Sequence, residues 1–467
     1  MPMEFSTLEE NASILPETGH IAGEKSAPFK GSVKERLSCG LLGIILCFMD
    51  TLTIGTIGLG SCPDIDLPKY SEIFFVMGLL ASQLTFYIFS SFRIGIVTTP
   101  ISENFVAFGE VSGLLYTEGG LRGAQFFWTL MAFISLSTIL TGFVFFALYV
   151  TGFQKILAKV PKQIGVSLFF VIGVFCCIYG NESILGLTKN GKNIYTREGI
   201  ILAYNFVGAG LWCAARYASK KYPSFGPFSY SAVLALAVAL SYIPIFLVWG
   251  GIDQARHANI LPTQTKSFFT LFDLPLIKEL SPSAIAWEWI FSVKILLRML
   301  GVIAINLVQF PINVSAISTA CKTEAHIKKE LLANGVSNVA SSVVGGFPTY
   351  VVSSSTIAFN RNKSITARKD GLLMAVAFAV LYILGQSVFS YIPQICLDCL
   401  LLFIGLDIIY DSGMDIWGMG SYTILFSVCV VVPAICLKNI PVGMGIGMLI
   451  SIARHLYRKY HASRTQV

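Results

Sequence analysis

Charge is scarce in this sequence, and that scarcity decides its solvent. Of 467 residues, only 13% are Asp, Glu, Lys or Arg, while 54% are hydrophobic. A soluble domain usually carries about a quarter charged residues, so lipid is the expected main solvent. Histidines are few as well: there are five, widely spaced, and the eleven cysteines lie scattered through apolar stretches. Neither Cys396-Leu-Asp-Cys399 nor the adjacent Cys176 and Cys177 has a partner cluster at zinc-site spacing. No metal, cofactor or catalytic residue is therefore expected. No nucleophile–base pair stands out, which argues against an enzyme. The net charge of +7 is spread between apolar runs and forms no basic, aromatic-interleaved patch, so nucleic acid is not an expected partner. The expected partners are a small-molecule or ion solute, the lipid bilayer and a second copy of the chain in a homodimer.

What the sequence does have is long hydrophobic runs. Residues 1–33 are polar and rich in Glu, Ser, Pro and Gly and read as a disordered cytoplasmic tail. No secretory signal fits there, because apolar residues begin only near Leu37. Within the tail, Glu10-Asn-Ala-Ser-Ile14-Leu15 resembles an acidic dileucine sorting signal. Fourteen apolar elements follow, at 37–60, 71–92, 94–117, 124–151, 162–181, 198–215, 228–249, 286–310, 311–321 with a continuation at 330–345, 348–360, 370–390, 393–410, 420–437 and 440–457. With the N-terminus cytoplasmic, Lys and Arg favour the inside segments by better than two to one, as positive-inside topology requires. Both termini are thus expected in the cytoplasm, in the plasma membrane or a vacuolar-type organelle membrane.

A loop at 250–284 divides the elements into a first repeat (34–249) and a second (285–457), leaving a short tail at 458–467. An odd number of spans per half inverts the second half relative to the first. The expected fold is an all-α membrane protein of fourteen segments in a seven-plus-seven inverted repeat with core and gate domains. A local echo supports it: Ile96-Val-Thr-Thr-Pro-Ile-Ser102 resembles Val351-Val-Ser-Ser-Ser-Thr-Ile357. Both stretches begin β-branched and extended, then pass through small hydroxyl residues into a short helix. Non-helical backbone does not face lipid, because its N–H and C=O groups would lack partners, so these segments are expected to line a buried site. Thr98, Thr99, Ser102, Glu103, Ser353, Ser354, Ser355 and Thr356 are the candidate ligands, against the plainer reading that such hydroxyls only fasten helices.

These residues, with others, carry a resemblance to the SulP (sulfate permease) superfamily of transmembrane transporters. The run Lys329-Glu-Leu-Leu-Ala-Asn-Gly-Val-Ser-Asn338, then Gly345-Gly-Phe-Pro348, Ser353 to Asn360, Tyr391-Ile-Pro393 and Gly405-Leu-Asp407 is similar to the family's tenth-helix and twelfth-helix motifs. Ile156-Leu-Ala-Lys-Val-Pro161 looks like its fifth-helix start, while Phe48 to Gly55 and Val308 to Val314 look closest to a fungal, vacuolar-type branch. The resemblance implies a core of elements 1–4 and 8–11, a gate of 5–7 and 12–14, solute bound between the third and tenth elements, and an elevator-type movement. Two departures stand out. Members often carry a cytoplasmic STAS domain, whereas about ten polar residues follow Arg454; and where anion transporters often carry Arg early in the tenth helix, this chain has Thr356.

Asp50 lies within the first span among Phe48, Met49, Leu52 and Ile54. A carboxylate in lipid must face a cavity, pair or take a proton, which makes Asp50 the candidate for proton coupling. Gln309 and Asn313 flank Pro311, where unwinding would turn their amides toward solute; Gln309 joins the candidate ligands. Lys294 and Arg298 share a helix face and are expected to snorkel to an interface. Glu324, Lys328, Lys329 and Glu330 read as a solvated connector. Three functions follow: proton-coupled or exchange transport of a small inorganic anion such as sulfate or bicarbonate; proton-coupled vacuolar-type amino-acid transport; or a non-transporting membrane motor or scaffold of the same fold.

Overall fold

The computed structural model describes residues 59, 65, 67–101, 104–152, 162–189, 197–222, 226–247, 249–257, 261, 284–321, 323–360, 368–389, 391–437 and 440–464. The first apolar run, Asp50 and the dileucine-like signal lie outside them. In chain order the elements are α1 (Leu67–Phe89), β1 (Thr98–Pro100), α2 (Phe105–Thr117), α3 (Gly123–Thr151), α4 (Lys162–Lys189), α5 (Arg197–Lys221) and α6 (Gly226–Leu247). There follow short helices α7 (Ile252–His257) and α8 (Trp287–Ile290), then α9 (Val293–Ala320), α10 (Ile327–Val343), β2 (Thr349–Val351) and α11 (Ser353–Phe359). A 3₁₀ turn at Arg368–Asp370 leads to α12 (Gly371–Phe389), α13 (Gln394–Gly418), α14 (Ser421–Cys436) and α15 (Ile440–Arg464).

Local chemistry accounts for several boundaries. α3 ends at Gly152, whose φ of 68° is left-handed and whose N–H returns to Leu148 O, the usual glycine C-terminal stop. α9 starts where the Ser292 side chain accepts from Ile295 N. Along α3, Thr129, Ser137, Thr138 and Thr141 each return their hydroxyl to the carbonyl four residues back, so polar side chains sit in an apolar interior without unmet donors. By length and composition, Tyr70–Phe89, Gly123–Thr151 and Val293–Ser318 can each cross a membrane.

The pattern of packed pairs exposes the internal symmetry. α3 packs on α10, and α12 on α1; α14 packs on α4, and α5 on α13; α5 packs on α6, and α14 on α15. β1 lies against α1 as β2 lies against α10. Each pair becomes its mate when α1, β1, α3, α4, α5 and α6 are exchanged for α10, β2, α12, α13, α14 and α15. Self-mated contacts, α1 with α10, α4 with α13 and β1 with β2, lie where a two-fold axis would pass. The packing is that of an inverted repeat. It also separates a core (α1–α3, α9–α12 and both strands) from a gate (α4–α6, α13–α15), which meet through α9 against α15 and α2 against α4.

In the gate the axis is marked by glycine. A Cβ on Gly173 would lie 2.8 Å from Gly405 O, and one on Gly405 would lie 2.8 Å from Gly173 O. Only residues without a Cβ let α4 and α13 come this close.

Three sequence expectations change. The run 311–321 is not a separate ninth element, because α9 continues unbroken from Val293 to Ala320 with Pro311 inside it; helix packing on both sides holds the segment that proline was expected to unwind. Lys294 and Arg298, expected to snorkel, carry ion-pair partners. Lys294 Nζ lies 2.5 Å from Glu118 Oε2, and Arg298 Nε lies 3.2 Å from Glu110 Oε2, so both side chains tie α9 to α2. Glu330 is not solvated. It is fully buried in the first turns of α10, where it accepts from Ser90 Oγ at 2.9 Å, Ser91 N at 2.6 Å and Ser91 Oγ at 2.6 Å. Packing alone would not bury a carboxylate; the donors just past the end of α1 make it tolerable.

Candidate functional site

The site is built on a two-stranded ladder inside the core. β1 and β2 pair antiparallel, with Thr98 opposite Val351, Thr99 opposite Tyr350 and Pro100 opposite Thr349. The ladder extends one bond each way, through Val352 N to Val97 O at 3.1 Å and Ile101 N to Pro348 O at 2.8 Å. All six strand residues are buried. The sequence specifies this locally: β-branched residues favour extended backbone, and Pro100 has no N–H to spend on a ladder. Each strand then feeds a short helix that turns its N-terminus back to the crossing, β1 into the thirteen residues of α2 and β2 into the seven of α11.

Thr98 and Thr99 sit side by side on β1; Ser353, Ser355 and Thr356 lie on α11 across the ladder. Thr98 Oγ1 donates to Gln83 Oε1 at 3.0 Å. Thr356 Oγ1 accepts from Val97 N at 3.0 Å and donates to Val97 O at 3.3 Å. Those two hydroxyls are engaged in holding the crossing together. Thr99 Oγ1 is buried and has no partner among the described residues. Ser354 belongs to α11, but its side chain, like Ser102 and Glu103, lies outside the described residues.

Gln309 reaches the site indirectly. Asn313 Nδ2 donates to Gln309 Oε1 at 3.0 Å, and Asn313 Oδ1 accepts from Ser353 N at 2.9 Å. One face of α9 thereby caps the first N–H of α11 with no unwinding at Pro311. A seven-residue helix with its first N–H taken exerts little of the attraction for anions that a long, uncapped helix end would.

On the other side, Asn104 occupies the N-cap of α2 without capping it. The residue is fully buried, and neither Oδ1 nor Nδ2 has a partner among the described residues. An unmet buried polar group costs about 1–3 kcal/mol, so a ligand that met both arms would recover that cost. No Lys or Arg is fully buried among the described side chains. Among the described residues, the side chains that bond the ladder's backbone are neutral amides and hydroxyls.

Sequence reasoning missed Gln83 and Asn338. Gln83 Nε2 donates to Ile96 O at 2.8 Å and Gly371 O at 3.0 Å, while its Oε1 accepts from Thr98 N at 3.0 Å. Asn338 Oδ1 accepts from Thr349 N at 3.0 Å, and its Nδ2 donates to Thr349 O at 3.0 Å. For Gln83 the available signal was an isolated amide within an apolar stretch of helix, a residue that needs partners wherever lipid or packed core surrounds it; Asn338 lies among Asn334, Ser337 and Ser341 and does not stand out.

Comparison with known proteins adds the family. A model of the sulfate permease family matches residues 126–432. A curated relative, the vacuolar basic amino acid transporter VSB1 of Saccharomyces cerevisiae, is 21% identical over 443 residues, which is 91% of this chain and 41% of that protein. The chain therefore spans well under half the length of this relative. Among solved structures, the transmembrane domain of the cyanobacterial bicarbonate transporter BicA superposes with a TM-score of 0.60 at 15% identity, covering 90% of this chain and all of that one. Murine Slc26a9, an anion transporter captured in the inward-facing state, gives 0.67 at 13% identity over 92% of this chain and 70% of that one. These likenesses show the seven-plus-seven inverted-repeat fold with core and gate.

Proposed function

The chain belongs to the sulfate permease family of membrane transporters, and on that footing we propose that it is a secondary transporter whose solute, bound at the β1–β2 ladder, carries its own positive charge, as an amino acid does. The observation that supports this reading is the lack of a fully buried cation among the described side chains. Thr356 stands where anion-transporting members often place Arg, no Lys or Arg is fully buried among the described side chains, and the first N–H of α11 is taken by Asn313. A fully anionic solute would enter this place without a compensating cation, at a cost of several kcal/mol. An amino acid would set its carboxylate on the α2 end and the Asn104 amide, and its ammonium toward Glu103 and Asp50. The name of the VSB1 relative points the same way. Thr99, Ser353, Ser354 and Ser355 would supply neutral hydrogen bonds, with Ser102 and Gln309 as further candidate ligands.

The second reading is a small inorganic anion such as sulfate or bicarbonate, favoured by the thirteen-residue α2, whose N-terminus carries no side-chain cap. In either case the core would carry the solute past the gate in an elevator-type step, coupled to a proton on Asp50 or to exchange, with both termini cytoplasmic. Uptake into proteoliposomes tests this with labelled arginine, lysine, sulfate, bicarbonate and oxalate, with and without a pH gradient. Saturable arginine or lysine uptake supports the first reading. Saturable uptake of anions alone replaces it with the second, and uptake of none of the five sinks both.

A further inference from the structure

A two-stranded ribbon has two outer edges, and inside a membrane protein each edge must find partners. Here the edges are met by side-chain amides. On β1, Gln83 takes Ile96 O and Thr98 N, a C=O and an N–H two residues apart, which is the pair that a neighbouring strand would take. On β2, Asn338 takes both the N–H and the C=O of Thr349. Gln83 lies on α1 and Asn338 on α10, which are mates in the repeat. Thr98 and Thr349 are mates too: a two-fold axis through the Thr99–Tyr350 pair exchanges them, given the register. The two amides thus perform one task twice, each standing in for a missing third strand.

Helix-fastening amides need make only one bond across an interface. These make matched pairs to strand backbone, and each makes one bond more: Gln83 to Gly371 O, at the start of α12, and Asn338 to Asn334 O at 2.8 Å, one turn back on its own helix. We propose that Gln83 and Asn338 are positioning residues that fix the register of the β1–β2 ladder and, through it, the placement of the solute groups on α2 and α11. A one-residue slip would turn every side chain of the slipped strand to the other face, carrying Thr99 away from the site. The claim about solute rests on the transport reading above; the claim about register does not.

Two readouts keep these apart. For register, Thr99→Cys and Tyr350→Cys are introduced together and oxidised in membranes. Directly opposed residues lie about 5.5 Å apart at Cα, within disulfide range, so the cross-link, mapped by mass spectrometry, forms readily in the otherwise unsubstituted chain. Adding Gln83→Leu or Asn338→Leu should lower its yield severalfold; Gln83→Glu and Asn338→Asp, which retain the acceptor for the threonine N–H, should keep more of it and serve if the leucine variants fail to reach the membrane. An unchanged yield in the membrane-inserted variants overturns the proposal. For placement, uptake by chains with native Thr99 and Tyr350 should show KM raised about tenfold by either clamp variant with Vmax within about twofold, since small displacements at a site cost orders of magnitude. The double variant should be little worse than the more affected single one, as expected for residues acting on one element. A lost cross-link with unchanged KM removes the placement claim. If the unsubstituted chain transports none of the panel while the cross-link behaves as described, the transport reading fails and the register assignment stands.

Discussion

The Thr356 hydroxyl bonds both backbone groups of Val97, its oxygen 3.0 Å from Val97 N and 3.3 Å from Val97 O. These residues come from opposite halves of the chain, so one side chain of the second repeat completes the strand of the first. Asn360, one turn on, repeats the gesture with Nδ2 on Gly95 O at 2.7 Å. The Thr356 side chain is thus a crosspiece between the two halves of the core.

Substitution at Thr356 should separate shape from hydrogen bonding. Thr356→Val keeps the volume and leaves Val97 N and O without the hydroxyl, at about 1–3 kcal/mol; it should lower the melting temperature in detergent and reduce uptake severalfold. Thr356→Ser should restore both. Equal behaviour of the two variants would mean that the Val97 bonds carry no weight.

Glu330 and Lys294 should differ sharply. Glu330→Ala strips the acceptor from Ser90 Oγ, Ser91 N and Ser91 Oγ inside the core, and we expect a loss of about 3 kcal/mol or more. Lys294→Met removes an exposed partner of Glu118 and should cost about 0–1 kcal/mol. Thermal unfolding in one detergent measures both, and comparable losses would refute the contrast.

Glycine on the gate axis offers a steric test with an internal control. Gly405→Ala puts a Cβ 2.8 Å from Gly173 O; α4 and α13 must separate, and stability should fall by about 1–3 kcal/mol. Gly210→Ala on α5 meets no atom within 4 Å and should be neutral or gain about 0.5–1 kcal/mol from better helix propensity. The ordering of the two melting temperatures is the readout.

Proton coupling is tested at Asp50. If the protonated acid accompanies solute, uptake by the native chain rises with an imposed proton gradient, and Asp50→Asn, a permanently neutral mimic, no longer responds. A retained gradient response in Asp50→Asn would move the coupling site elsewhere.

Much of this architecture was legible in residue order. The two extended stretches around Thr98 and Val351 stood out because β-branched and proline residues interrupt otherwise helical patterning, and hydroxyl residues following each marked the return to helix. The clamps were not legible. Gln83 and Asn338 look like any amide in a membrane helix, and only the fold brings Gln83 beside Gly371, 288 residues away. The continuity of α9 was missed for a related reason: Pro311 weakens a helix locally, but its neighbours Val308, Phe310 and Val314 are all buried, and packing outweighs one absent hydrogen bond. Among its charged neighbours Glu324, Lys328 and Lys329, Glu330 looks solvated in the sequence; its partners Ser90 and Ser91 lie about 240 residues earlier.

The Thr99–Tyr350 pair lies where the two halves of the molecule trade places, yet its members could hardly differ more in bulk. Under the transport reading, backbone built twice would supply one shape to whichever side of the membrane is open, and the direction of net movement would fall to the gradients and not to the scaffold. Side chains at the centre are released from that symmetry. One strand can keep its small hydroxyl while the other acquires an aromatic ring, and a duplicated frame can come to discriminate among solutes by altering a single copy.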